Sequence, residues 1–142
     1  DLENANILDM FSGVGSFGIE CLSRGVQKVV FVENYQGVIP ILKKNLLNLK
    51  SVNNYKIIEK DIYDNNKIIT LNIQFDIIFL DPPFKDKNLS IIFRKIKNEN
   101  LLKENGIIIL HRHKDEKDIF LEDFNIIEEK KYGISRIFFF SN

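Results

Sequence analysis

The chain has 142 residues, 44% hydrophobic and 28% charged, so it is one domain's worth of sequence, able to bury a core without disulfide or metal staples. Its 20 basic and 20 acidic residues cancel, so no global field draws it to nucleic acid or membrane, and any polyanion site must be a local patch. One cysteine excludes an intrachain disulfide and a cysteine-built zinc site, and no apolar run reaches membrane-spanning length. With no signal-peptide pattern at the start, the expectation is a cytoplasmic, metal-free domain over residues 1–142.

Ala5 to Phe11 reads as a first apolar strand, running into Ser12-Gly13-Val14-Gly15-Ser16-Phe17-Gly18. The only methionine, Met10, lies inside it, so Asp1 is not expected to mark the start of translation, and an upstream segment is expected. Glycines at this spacing let a backbone turn sharply and approach a ligand, and Phe17 to Ser23 follows as a helix ended by Gly25. Cys21 on that helix reads as a small buried apolar residue without a role. Lys28 to Val32 is a second strand with Glu33 at its tip, and a helix spans about Gly37 to Leu49, with Pro40 tolerable only in its first turn. Tyr55 to Glu59 is a third strand ending at Lys60-Asp61, and residues 62–74 suggest a short helix and loop.

The fourth strand, Phe75 to Leu80, is short and apolar and is closed by Asp81-Pro82-Pro83-Phe84, where two prolines end any ladder. Leu89, Ile92, Phe93 and Ile96 lie at helical spacing on a helix whose other face is basic. Gly106 to Leu110 is a fifth strand leading into His111-Arg112-His113. Phe124 to Glu129 and Ile134 to Phe140 are joined by Lys130-Lys131-Tyr132-Gly133, with no room for a crossover helix, so the pair must be antiparallel. The expected fold is α/β: a doubly wound, mostly parallel seven-stranded sheet with a terminal antiparallel strand.

In such a sheet ligands bind outside the carboxyl ends of the strands. Asp81 sits at one such end, where an acid, a rigid proline carbonyl and an aromatic ring could hold a planar, amine-bearing substrate. Asp-Pro-Pro can also be a stiff turn with no chemistry. The glycine loop fits the dinucleotide fingerprint, and Glu33 falls near where a ribose-binding acid is expected. Two features argue against a nicotinamide dehydrogenase. Asp9 would repel a pyrophosphate but could attract a positively charged ligand, and the terminal hairpin departs from an all-parallel dinucleotide sheet.

The stretch Asp9-Met10-Phe11-Ser12-Gly13-Val14-Gly15 resembles the first motif of class I S-adenosylmethionine-dependent methyltransferases, and Asp81-Pro82-Pro83-Phe84 their amino-methylating motif. Together with Val32-Glu33-Asn34 and the late Lys131-Tyr132-Gly133, the chain is similar over nearly its whole length to the RsmD family, bacterial 16S ribosomal RNA guanine-N2 methyltransferases. The resemblance implies S-adenosylmethionine as cofactor. Asp9, Phe11 and the backbone of Ser12, Gly13 and Gly15 would hold its methionine part, Glu33 and Asn34 its ribose, and Asp61 and Ile62 its adenine. Glu33 has a competing reading as a solvated strand end, and Asp61 as a plain helix N-cap.

The resemblance also implies a mechanism in which the Asp81 carboxylate and the Pro82 carbonyl accept the two amine hydrogens. Pro83 stiffens that carbonyl, and Phe84 stacks on the base. Lys85, Lys87, Arg112, Lys130 and Lys131 are candidate phosphate contacts at the same edge, against an ordinary solvated rim as the alternative. Of His111 and His113 on this strand only one is expected to face the site, and neither suggests a metal site or a nucleophile. The expected partner is ribosomal RNA or the small ribosomal subunit, met by a monomer. The rivals are adenine N6 or a protein glutamine amide as acceptor, and an inactive subunit that only presents RNA.

Overall fold

The computed structural model describes residues 1–68, 72–83, 88–116 and 124–142. Among these residues seven strands and three helices follow in the order β1 (Asn6–Met10), α1 (Ser16–Ser23), β2 (Lys28–Val32), α2 (Ile39–Leu47), β3 (Tyr55–Ile58), β4 (Phe75–Leu80), α3 (Leu89–Asn98), β5 (Leu102–His113), β6 (Asn125–Tyr132) and β7 (Ser135–Ser141). They form one sheet in the order β3-β2-β1-β4-β5-β7-β6. Every pairing among β1 to β5 is parallel, while β7 runs antiparallel to both β5 and β6. The expected architecture is the one observed. No helix among the described residues is long and apolar enough to cross a membrane.

Strand alternation divides the core between two faces of the sheet. Ile7, Val29 and Phe31 pack under Leu22 of α1 and Leu42 and Leu46 of α2. Their neighbours Leu8, Val30, Ile78 and Leu110 face the opposite way, toward Ile92 and Ile96 of α3. Each fully buried aliphatic or aromatic side chain contributes about 1.5–3 kcal/mol over its exposed state, so both faces are held by the hydrophobic effect. Helix α3 shows the pattern most plainly: Leu89, Ile92, Phe93 and Ile96 are buried, and Lys95 and Lys97 occupy the last turn, where they oppose the negative end of the helix dipole.

Two expectations need correction. The described part of 62–74 forms turns and bends with no helix; Asp61 accepts a hydrogen bond from the Tyr63 amide at 2.9 Å, and that turn stands where a helix start was expected. Strand β5 also begins earlier than Gly106, because Leu102 already pairs with Phe75; a register shift between Phe75 and Ile77 takes up the extra residues.

The register aligns the carboxyl ends. Met10 is opposite both Val32 and Leu80, and Leu80 is opposite Leu110. One residue further on, Phe11, Glu33, Asp81 and His111 therefore stand in a row across β1, β2, β4 and β5. The sheet reverses its winding between β1 and β4, and there a ligand crevice opens outside the strand ends.

Candidate active site

The loop after β1 leaves the sheet with Phe11 at φ 57° and Gly13 at φ 54°. A Cβ at Gly13 would meet nothing within 4 Å, so glycine is required there for its backbone conformation, and the space beside it stays open for a ligand. Gly18 answers to a different demand. A Cβ on it would lie 2.3 Å from the Phe31 ring, so its absence lets α1 press against β2.

Helix α1 has no side-chain cap of its own. Its third amide, that of Gly18, instead donates to Asp9 Oδ2 at 3.1 Å, so a buried strand acid satisfies an otherwise orphaned helix donor. Burial pushes the Asp9 carboxyl up to about 7 against the lowering effect of the Gly18 amide, and the nearby charges of Asp81 and Glu33 add to the rise. By contrast the Cys21 thiol, also raised by burial, to about 11, has no part in the site.

Glu33 is held by main chain alone. Its Oε1 accepts from the Gly13 amide at 2.8 Å, and its Oε2 accepts from the amides of Asn34 at 2.9 Å and Tyr35 at 3.0 Å. A carboxylate offers about four acceptor positions, so three are already used. Two ribose hydroxyls at this acid would require one of the backbone donors to yield.

These residues border a cavity of about 700 Å³. Phe11, Gly13 and Glu33 line one side, Asp61 and Ile62 another, and Asp81 and Pro82 its far end. Asn34 lines it too, as do Tyr35, Lys60 and Tyr63, which the sequence did not single out. Lys60 is the sole cation among the described lining residues, opposite three acids. A second cavity of about 280 Å³ adjoins it, bordered by Asp9, Ser12, Phe17, Phe79 and again Asp81. There the rings of Phe17 and Phe79 stack with centroids 4.1 Å apart. Ser12 Oγ is buried without a hydrogen-bond partner. An orphaned hydroxyl, a desolvated acid and apolar walls suit a ligand that brings its own donors and a positive charge.

The tip after β4 is gripped from β5. His111 Nδ1 lies within hydrogen-bond distance of Asp81 Oδ1, at 2.9 Å, and Arg112 Nη1 donates to the Pro83 carbonyl at 3.1 Å. Arg112 is 1% exposed and pairs with Glu116 at 3.6 Å. It cannot be the phosphate contact expected of it, because its guanidinium is turned inward under the tip. Lys130 and Lys131 do lie at this edge, since Lys131 is opposite Arg136, which is opposite Arg112; Lys130 rests over the Phe139 ring and 3.6 Å from Glu128. Phe84, Lys85 and Lys87 fall outside the described residues. The histidine set aside on sequence is thus the one in contact with the acid of the motif.

Residues 1–141 match the family described as Conserved hypothetical protein 95, the RsmD family. This chain belongs to that family. A relative from Haemophilus influenzae, "Ribosomal RNA small subunit methyltransferase D", is 36% identical over 94% of this chain and 69% of its own length. A solved structure from the same organism, described as a "putative methylase", superposes with a TM-score of 0.84 at 34% identity, covering 99% of this chain and 88% of that one. A more distant structure, described as "a putative methyltransferase complexed with SAH", shares the fold at a TM-score of 0.78 and 16% identity, covering 100% of this chain and 46% of that one. The RsmD-family chain described here is a methyltransferase with the Rossmann-like fold of its relatives.

Proposed function

We propose that this methyltransferase acts on the exocyclic N2 amine of a guanine in small-subunit ribosomal RNA, with S-adenosylmethionine as methyl donor. The observation that carries the reading is that Asp81 borders both cavities, so the acid of the amine motif stands where a cofactor's reactive end and an acceptor would meet. The curated relative's name supports ribosomal RNA as the acceptor's source.

In this reading Asp9, Phe11 and the backbone of Ser12, Gly13 and Gly15 hold the methionine end of the cofactor, with Ser12 Oγ gaining a partner. Glu33 and Asn34 hold the ribose, and Asp61 and Ile62 flank the adenine. Bound there, the cofactor supplies a methyl group already activated on a sulfonium. The chain's task is to present the nucleophile. An aromatic amine is a weak nucleophile because its lone pair is delocalised into the ring. Accepting its two hydrogens on the Asp81 carboxylate and the Pro82 carbonyl favours a pyramidal nitrogen with the lone pair directed at the methyl. Pro83 fixes the carbonyl's direction, and Phe84 is assigned to stack on the base, a contact worth on the order of 1–3 kcal/mol. Placement of this kind supplies much of the acceleration.

Lys85, Lys87, Lys130 and Lys131 are proposed to meet phosphates around the base, each adding a small, salt-dependent share of affinity. The enzyme is proposed to work as a cytoplasmic monomer on RNA or on the small ribosomal subunit.

The test supplies labelled S-adenosylmethionine and small ribosomal subunits from cells lacking the enzyme, then digests the RNA to nucleosides for chromatography. Label in N2-methylguanosine is expected. Label in N6-methyladenosine, or on protein glutamine, would move the acceptor to a rival. Cofactor binding with no transfer to any acceptor would leave an RNA-presenting subunit.

A further inference from the structure

We propose that His111, braced by Ser135, is the positioning residue for Asp81, turning one carboxylate oxygen away so that the other is presented to the acceptor amine. The inference rests on the reading of Asp81 as the group that receives that amine.

Asp81 lies beyond the last ladder pair of β4, and 44% of its side chain is exposed. A short acid there would spread over several rotamers, and ordering it during the reaction costs conformational entropy. The structure meets that cost beforehand. His111 Nδ1 lies 2.9 Å from Asp81 Oδ1, and His111 Nε2 lies 2.8 Å from Ser135 Oγ. An ionised carboxylate only accepts, so Nδ1 carries a proton, and the Ser135 hydroxyl, able to donate or accept, pairs with Nε2. The contacts thus select one ring orientation.

The geometry follows from the strand register. His111 is opposite Ile137 in the antiparallel β5–β7 pair, which makes Ser135 its diagonal neighbour on the same face. Leu80 is opposite Leu110 in the parallel β4–β5 pair, which sets Asp81 beside His111. Three strands therefore contribute one residue each to a chain running Ser135, His111, Asp81. The ring is more sheltered than the acid it holds, at 23% exposure against 44%. That ordering suits a fixed support beneath a working group.

With Oδ1 engaged by His111, Oδ2 is left to receive an amine hydrogen. The complementary hold comes from the next residue of β5, since Arg112 bonds the Pro83 carbonyl from the opposite face. Side chain and backbone of the tip are thus anchored separately.

The experiment measures transfer from labelled S-adenosylmethionine to small ribosomal subunits for the full-length enzyme and its His111→Ala, His111→Asn, His111→Gln, Ser135→Ala and Asp81→Ala variants. Cofactor dissociation constants and unfolding midpoints are measured alongside. His111→Ala is expected to lower kcat about 10- to 100-fold, as misplacement of a catalytic group does, with the cofactor constant unchanged. His111→Asn carries an amide nitrogen where Nδ1 stands and is expected to recover most of the loss. His111→Gln, whose amide reaches toward the Nε2 position, is not. Ser135→Ala should fall between wild type and His111→Ala. Unchanged kcat in His111→Ala, a parallel loss of cofactor affinity, or equal rescue by Asn and Gln would each overturn the proposal. Wild-type transfer by Asp81→Ala would instead overturn the underlying reading of Asp81, so the two failures are told apart.

Discussion

The two halves of the sheet's carboxyl edge hold their acids by different means. On the β1–β2 side, Glu33 is fixed by three backbone amides, and Asp9 is fixed by a fourth at the start of α1. On the β4–β5 side, Asp81 is held by an imidazole and the tip's backbone by a guanidinium. Main-chain donors come with the loop itself and survive almost any side-chain change nearby. Side-chain donors place a group as well, but one substitution removes them. The half proposed to hold the cofactor is therefore built for permanence, and the half proposed to hold the acceptor is open to adjustment by single residues.

Substitutions on the two sides should separate binding from transfer, and the largest effect belongs to Asp81. Asp81→Ala is expected to cut transfer by about 10²- to 10³-fold while titration shows cofactor affinity retained. Joint loss of both would erase the division between the halves. Next comes Arg112→Met. Removing the buried guanidinium leaves the Pro83 carbonyl and the partly exposed Glu116 without this partner, so chemical denaturation should show a loss of roughly 1–3 kcal/mol. The salt dependence of RNA binding should stay as it was, whereas a phosphate contact would lower the slope by about 1.

On the other side, Glu33→Ala should raise the cofactor's dissociation constant about tenfold, the worth of roughly 1.5 kcal/mol for a charge-assisted hydrogen bond, with kcat at saturation little changed. An unchanged constant would remove Glu33 from the ribose site. A separate expectation is a pH dependence centred on Asp9. Its carboxyl is raised from 3.8 to about 7 in the folded chain, so its stabilising share is present at low pH and is lost as pH rises through about 7. The ligand-free protein should lose stability over that window. Affinity for the sulfonium-bearing cofactor should rise over the same window by up to ~10-fold per pH unit, because the positive charge favours the ionised acid. S-adenosylhomocysteine keeps the α-ammonium but lacks the sulfonium charge and should show a smaller rise, and Asp9→Asn should flatten the profile for both ligands. Calorimetric titration at several pH values checks all three.

The motifs were legible because their chemistry is local. A glycine loop behind an apolar strand, an acid at the next strand's tip and Asp-Pro-Pro after a third each carry their meaning within a few residues. The alternation of strands and helices, with too short a link for a crossover between β6 and β7, sufficed for the sheet's winding. The segment 62–74 misled because Asp61 starts a turn as readily as a helix, and only the Tyr63 amide at its carboxylate decides between them.

By itself, then, the sequence determined the fold class and the family and pointed to the acids that the strand ends bring together, all of which depend on local pattern. What only the tertiary structure decided is who touches whom at the end of β5. His111 and Arg112 are adjacent, basic and equally plausible as surface groups, and they differ only in which face of the sheet they point to. That depends on the register of β5 against β4 and β7, and a slip of one residue exchanges the faces. The observed register gives His111 to Asp81 and turns Arg112 inward to Pro83. Contrary to expectation, alternation does not separate the two histidines, since His111 and His113 are two apart on β5 and share a face; the pairing of β5 with β4 is what sets His111 beside Asp81.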